Sequence, residues 1–233
     1  MANVYVVHPD KKTILKSWSP GELTGYITYL GSNYFMIANA ALEDNTLQLW
    51  KSCTNDGSFR LIRDIAIIAA GFRGLGNNGK DLFLASTTGG QSVGQYNVNG
   101  DYIQILRAET LQVWGCCTDA TQGTKDSDTW DNCQRLWYML FHSKAKSWYL
   151  VELSFGKPAK VKTTKLTLIS NFHVPRELTY DGRYFWRIDW GAGVGTTYLV
   201  KMSKEGKNIE TTLLQFAAGG ITFDGKNLWL LDV

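Results

Sequence analysis

The chain has 233 residues, 44% hydrophobic and 19% charged, with a formal net charge of +3. That is enough apolar content for a packed core and too little charge for a disordered chain, and the small positive balance argues against nucleic acid as a partner. Aromatics at 13%, with nine tryptophans and 23 glycines against four prolines, suit many short strands joined by tight turns.

The opening Met1-Ala2-Asn3-Val4-Tyr5 has no basic segment followed by an apolar stretch, so no signal peptide is expected. No apolar run approaches the roughly 20 residues that span a membrane, and no membrane insertion is expected. A strand-like Val4-Tyr5-Val6-Val7-His8 then meets a turn at Pro9-Asp10-Lys11-Lys12 and a second run, Thr13-Ile14-Leu15-Lys16.

From there a unit recurs. Ile27-Thr28-Tyr29-Leu30-Gly31 is followed by Tyr34-Phe35, Asn78-Gly79 by Leu82-Phe83, and Asn132-Cys133 by Leu136-Trp137. The clearest copies are Leu178-Thr179-Tyr180-Asp181-Gly182 before Phe185-Trp186 and Ile221-Thr222-Phe223-Asp224-Gly225 before Leu228-Trp229. Asp-Gly between two β-rich runs is a hairpin signal, because glycine supplies the positive φ of the turn. With positions 31, 79, 133, 182 and 225 as anchors, each unit takes about 40–50 residues, the length of a propeller blade. Second turns follow within the units at Asn55-Asp56-Gly57-Ser58, Val98-Asn99-Gly100-Asp101, Ser154-Phe155-Gly156-Lys157 and Lys204-Glu205-Gly206-Lys207. Each unit thus reads as four antiparallel strands.

The last unit has only two strands before Val233, and the N-terminus supplies the two that it lacks. The expectation is a single all-β domain over 1–233: a five-bladed β-propeller of four-stranded antiparallel blades at roughly 23–66, 67–110, 111–167, 168–217 and 218–233 plus 1–22. Val4–His8 should run antiparallel to Leu228–Leu231, closing the ring and removing open edges. Phe35, Phe83, Trp137, Trp186 and Trp229 recur at one repeat position and should pack between blades.

The Asp-Gly, two residues, apolar-Trp pattern with a later Asp, and the overlapping termini, resemble repeats of the five-bladed β-propeller superfamily over the whole chain. That superfamily includes tachylectin-like lectins, glycosidases and glutaminyl cyclases, and no motif here selects one of them.

Motifs for chemistry are sparse. There is no G-x-S-x-G, phosphate loop or dinucleotide fingerprint, and His8, His142 and His173 are scattered. Cys116-Cys117 are adjacent rather than at zinc spacing, so no metal or cofactor is assigned. Asp189 and Asp232 stand seven residues past their anchors and read as strand-end acceptors rather than a glycosidase pair. The acidic insertion Thr118–Asp131 lacks the glycine of a calcium loop and reads as a solvated loop. Lys157, Lys160, Lys162, Lys165, Lys201, Lys204 and Lys207 read as charges that guard exposed strand edges. Cys117 and Cys133 flank the insertion and are a candidate disulfide, with Cys53 a free thiol.

Trp190, outside the repeat pattern in a Gly-rich connection, should share a face with the inter-blade link His173-Val174-Pro175-Arg176. Trp190, His173, Arg176 and His142 are therefore the candidate binding residues, with no catalytic residue assigned. The function expected is a non-catalytic binding or assembly module, such as a structural component of a virion or phage tail, with a protein partner or a surface glycan as ligand. A glycan-binding lectin is the alternative, and a glycosidase-like or cyclase-like enzyme the second.

Overall fold

The computed structural model describes residues 2–21, 23, 25–39, 46–53, 57–67, 71–78, 80–86, 91–109, 111–118, 135–155, 160–170, 173–191 and 195–232. They form a five-bladed β-propeller. The first blade is β3 (Gly25–Gly31), β4 (Tyr34–Asn39), β5 (Thr46–Ser52) and β6 (Phe59–Ala66). The second is β7 (Phe72–Asn77), β8 (Asp81–Ser86), β9 (Gln91–Asn97) and β10 (Tyr102–Glu109). The third is β11 (Gln112–Thr118), β12 (Arg135–His142), β13 (Ser147–Ser154) and β14 (Lys160–Lys165). The fourth is β15 (Val174–Tyr180), β16 (Phe185–Trp190), β17 (Thr197–Met202) and β18 (Asn208–Leu214).

The fifth blade joins both ends of the chain, in the order β19 (Ala218–Phe223), β20 (Leu228–Asp232), β1 (Ala2–Val7), β2 (Ile14–Gly21). Val4 pairs Leu231 and Val7 pairs Leu228, antiparallel, as the repeat count requires. The first strands β3, β7, β11, β15 and β19 stand side by side in a closed ring around the central channel. Among the described residues, no helix is long and apolar enough to cross a membrane.

The recurrent motif works through its acid. In the β19–β20 turn, Asp224 Oδ1 accepts from the backbone N–H of Lys226 and Asn227, and Oδ2 accepts from the Trp229 indole at 2.6 Å. Asp181 does the same for Arg183, Tyr184 and Trp186 in the β15–β16 turn. One carboxylate thus shapes the turn and fixes the indole that enters the next inter-blade core. The glycine after each acid has φ of 93°, which residues with a Cβ rarely adopt.

Trp186, Trp137 and Phe83 pack toward the following blade, and Trp229 packs toward the first. The first blade corrects the expected register. Phe35 is buried, but it faces back onto Trp229 at 4.3 Å, and Met36 takes the forward position. The cause is the turn: Ser32 and Asn33 both have positive φ (50° and 67°), as in a two-residue type I′ hairpin, whereas Asp181–Tyr184 and Asp224–Asn227 are four-residue turns.

Inner strands approach closely where they lack side chains. A Cβ on Gly74 of β7 would lie 2.4 Å from the Cα of Gly115 in β11. Below that level, side chains tie the ring together. Asn77 Nδ2 donates to Thr28 Oγ1 and Tyr29 O, Thr118 Oγ1 donates to Asn77 O, and Tyr29 N donates to Thr222 Oγ1. Thr28, Asn77, Thr118 and Thr222 line a narrow recess at the lower end of the channel. On the outside, Lys160, Lys162 and Lys165 lie on the outermost strand β14.

Candidate functional site at the channel mouth

The upper face is the one on which the inner strands begin and the second strands end. Four inner strands carry one unpaired extra residue near this end: Arg73 in β7, Gly115 in β11, Arg176 in β15 and Gly219 in β19. A β-bulge bends its strand and re-aims a side chain. Here it brings two guanidiniums over one indole. Arg73 Cζ lies 4.1 Å from the Trp114 ring centre and Arg176 Cζ lies 4.8 Å from it. Arg176 also lies 4.0 Å from the ring centre of Trp190. The Trp190 indole N–H donates to Ala218 O at 2.6 Å, which anchors it to the fifth blade.

Beneath these groups Glu177 is completely buried. Its Oε1 accepts from the backbone N–H of Cys116 and of Leu178, both at 3.1 Å. Among the described residues, Glu177 Oε2, Arg176 Nε and Trp114 Nε1 are buried and have no hydrogen-bond partner. Burial drives the Glu177 carboxyl well above the usual carboxylate range and so favours its neutral form, against the pull of backbone donors. Burial also lowers the Arg176 pKa, with Tyr26 opposing the shift and the charge of Arg73 adding to it. Tyr26 of β3 is raised by burial first and by Glu177 second, while Arg176 and Arg73 oppose the shift. Its hydroxyl is therefore within electrostatic reach of all three. Four inner strands converge on one spot.

Of the residues expected from sequence, Trp190 and Arg176 are in direct contact. Val174, next to His173, pairs with Trp190, so His173 lies at the same end of the blade. Its ring packs edge-on against Tyr198 at 4.9 Å and Nδ1 lies 2.7 Å from Ser170 Oγ. His142 ends β12 on the same face, one blade away. Its Nδ1 accepts from Ala145 N within the β12–β13 turn, apart from the cluster.

Sequence reading missed Arg73, Trp114, Glu177 and Tyr26. It also missed the role of Asp189, which holds Arg187 through two oxygens at 2.5 and 2.7 Å with both side chains fully buried. Alternate residues on a strand share a face, so opposite charges at 187 and 189 in an otherwise apolar strand were the available signal. Arg187 Nη2 also donates to Thr167 O. The carboxylate is thereby committed to structure, and Asp232 accepts from Asn3.

Cys53 and Cys116 are free thiols, and Cys116 donates to Phe83 O. Cys117 is buried in β11, while Cys133 lies outside the described residues, as does the acidic insertion after Thr118.

No protein-family model and no curated protein sequence matches this chain. Among solved structures it resembles the glutaminyl cyclase of Myxococcus xanthus, with 11% identity over 99% of this chain and 94% of that one and a TM-score of 0.57. It also aligns with Sqt1 of Saccharomyces cerevisiae at 9% identity, over 94% of this chain and 59% of that one, with a TM-score of 0.43. At such identities the likeness concerns the fold: this chain shares the propeller architecture.

Proposed function

We propose that this propeller is a non-catalytic binding module of a larger assembly and that the channel mouth on its upper face is the docking site. The observation that carries this reading is the convergence of buried, unpartnered donors there, Arg176 Nε and Trp114 Nε1. Native proteins pair nearly all such groups, so a cluster of exceptions marks a place where a partner supplies the bonds. Bulged inner strands and a ladder of arginine on indole hold the donors in place before binding, which lowers the ordering cost of association. A multivalent lectin would repeat its site from blade to blade. Eight residues past the other anchors, where Trp190 stands in its own unit, are Asn39, Thr87, Phe141 and Val233, so the Trp190 indole is not repeated from blade to blade.

The test is recovery of the tagged full chain from its native source beside Trp190→Ala and Arg176→Gln. The wild type should bring a stoichiometric companion that both variants lose while melting as the wild type does. A companion retained by both variants refutes the assignment of this face.

A second reading is favoured by Glu177, a buried carboxyl whose burial favours the neutral form, near the Trp114 and Trp190 indoles, in a fold shared with an enzyme named as a glutaminyl cyclase. A neutral acid can donate a proton in acyl transfer. Release of ammonia from an N-terminal glutaminyl peptide, lost in Glu177→Gln, would establish it.

A further inference from the structure

Resting on that binding reading, we infer that the channel mouth holds a carboxylate, gripped by the guanidinium N–H groups of Arg73 and Arg176 and by the Trp114 indole N–H. Both guanidiniums lie against one indole, and no acidic side chain forms an ion pair with either among the described residues. Two like charges in a half-buried place repel each other and call for a counter-ion. The nearest acid is Glu177. Its Oε1 is already taken by the backbone of β11 and β15, and burial favours its neutral form, so it does not supply that charge.

The donor set selects the ligand. A guanidinium and an indole N–H donate and never accept, so a cation or a pure donor has nothing to bind. Arg176 lies against both Trp114 and Trp190, and its Nε is buried without a hydrogen-bond partner, so a guanidinium N–H remains to be satisfied by a ligand. Two coplanar oxygens fit the N–H edge of a guanidinium side by side. Trp114 is only 8% exposed and Tyr26 is equally buried, so the walls are apolar and suit a flat organic acid better than a strongly hydrated tetrahedral anion. This carboxylate belongs either to the C-terminus of a protein chain or to an acidic sugar, and the same donors serve both.

The experiment follows the indole N–H resonances of Trp114 and Trp190 in the 15N-labelled full chain. The probes are N-acetyltyrosine, glucuronate, inorganic phosphate and N-acetyltyrosinamide. The acids should shift the Trp114 resonance saturably, while the amide leaves it in place. Stronger binding of N-acetyltyrosine points to a protein C-terminus, and of glucuronate to a sugar. Arg73→Gln and Arg176→Gln should each weaken binding about tenfold or more, the loss expected for one charge-assisted hydrogen bond. Equal shifts from acid and amide, tighter binding of phosphate than of either acid, or no shift at millimolar acid would overturn the inference, and none of these outcomes depends on a variant folding. If the companion is lost from Trp190→Ala while no acid binds, the docking face stands and the carboxylate falls. If acids bind while both variants keep the companion, the carboxylate stands and the docking face falls.

Discussion

Glu177 sets a testable pH dependence of stability. Its carboxyl is completely buried and its native pKa lies well above the unfolded value, with burial as the largest cause. The folded state therefore binds more protons than the unfolded chain between the unfolded pKa and the raised native one. Stability contributed by this group is intact below the unfolded pKa of about 4.3 and falls as pH rises toward the native pKa, by roughly 1 kcal/mol for each pH unit in that window. Glu177→Gln keeps an acceptor for Cys116 N and Leu178 N and cannot ionise. Urea denaturation at intervals from pH 5 to pH 8 should show the wild type losing stability relative to the variant as pH rises, with equal m-values. Parallel profiles for the two proteins would refute the neutral, buried carboxyl.

Three further perturbations probe the frame. Deleting residues 1–17 removes β1 and half of β2, leaving the edge of β20 unpaired, and should abolish the cooperative melt seen by circular dichroism. Trp229→Ala removes an indole stacked on Trp18 at 5.2 Å and hydrogen-bonded to Asp224, and should lower stability by about 3–5 kcal/mol in urea titration. Asp189→Ala leaves the Arg187 guanidinium buried without its counter-ion and should cost about 3–5 kcal/mol by the same assay, as for other broken buried pairs.

The frame was legible because one constraint repeats. Asp181 and Asp224 must each shape a turn and receive an indole N–H, and that double duty preserves the motif at a fixed offset. The ring closure followed from counting strands. The first blade misled because its turn has two residues, which moves Phe35 to the opposite face from its apparent equivalents. At the site, Trp190 could be picked out because it breaks the repeat, and Arg176 because it lies in the inter-blade link on the same face. Arg73, Trp114 and Glu177 could not. Their convergence depends on bulges at Arg73, Gly115 and Arg176, each of which shifts the inward and outward alternation by one residue. Glu177 in particular reads as an ordinary surface acid in Val174-Pro175-Arg176-Glu177, because one of its partners, Cys116 N, lies on a strand 61 residues earlier.

The most direct measurement of the central claim is a structure of this propeller with the companion it carries from its native source. Companion atoms should occupy the channel mouth, in contact with Trp190 and within hydrogen-bond distance of Arg176 and the Trp114 indole N–H. A companion seated on the outer strands or the lower face, with the mouth untouched, would contradict it.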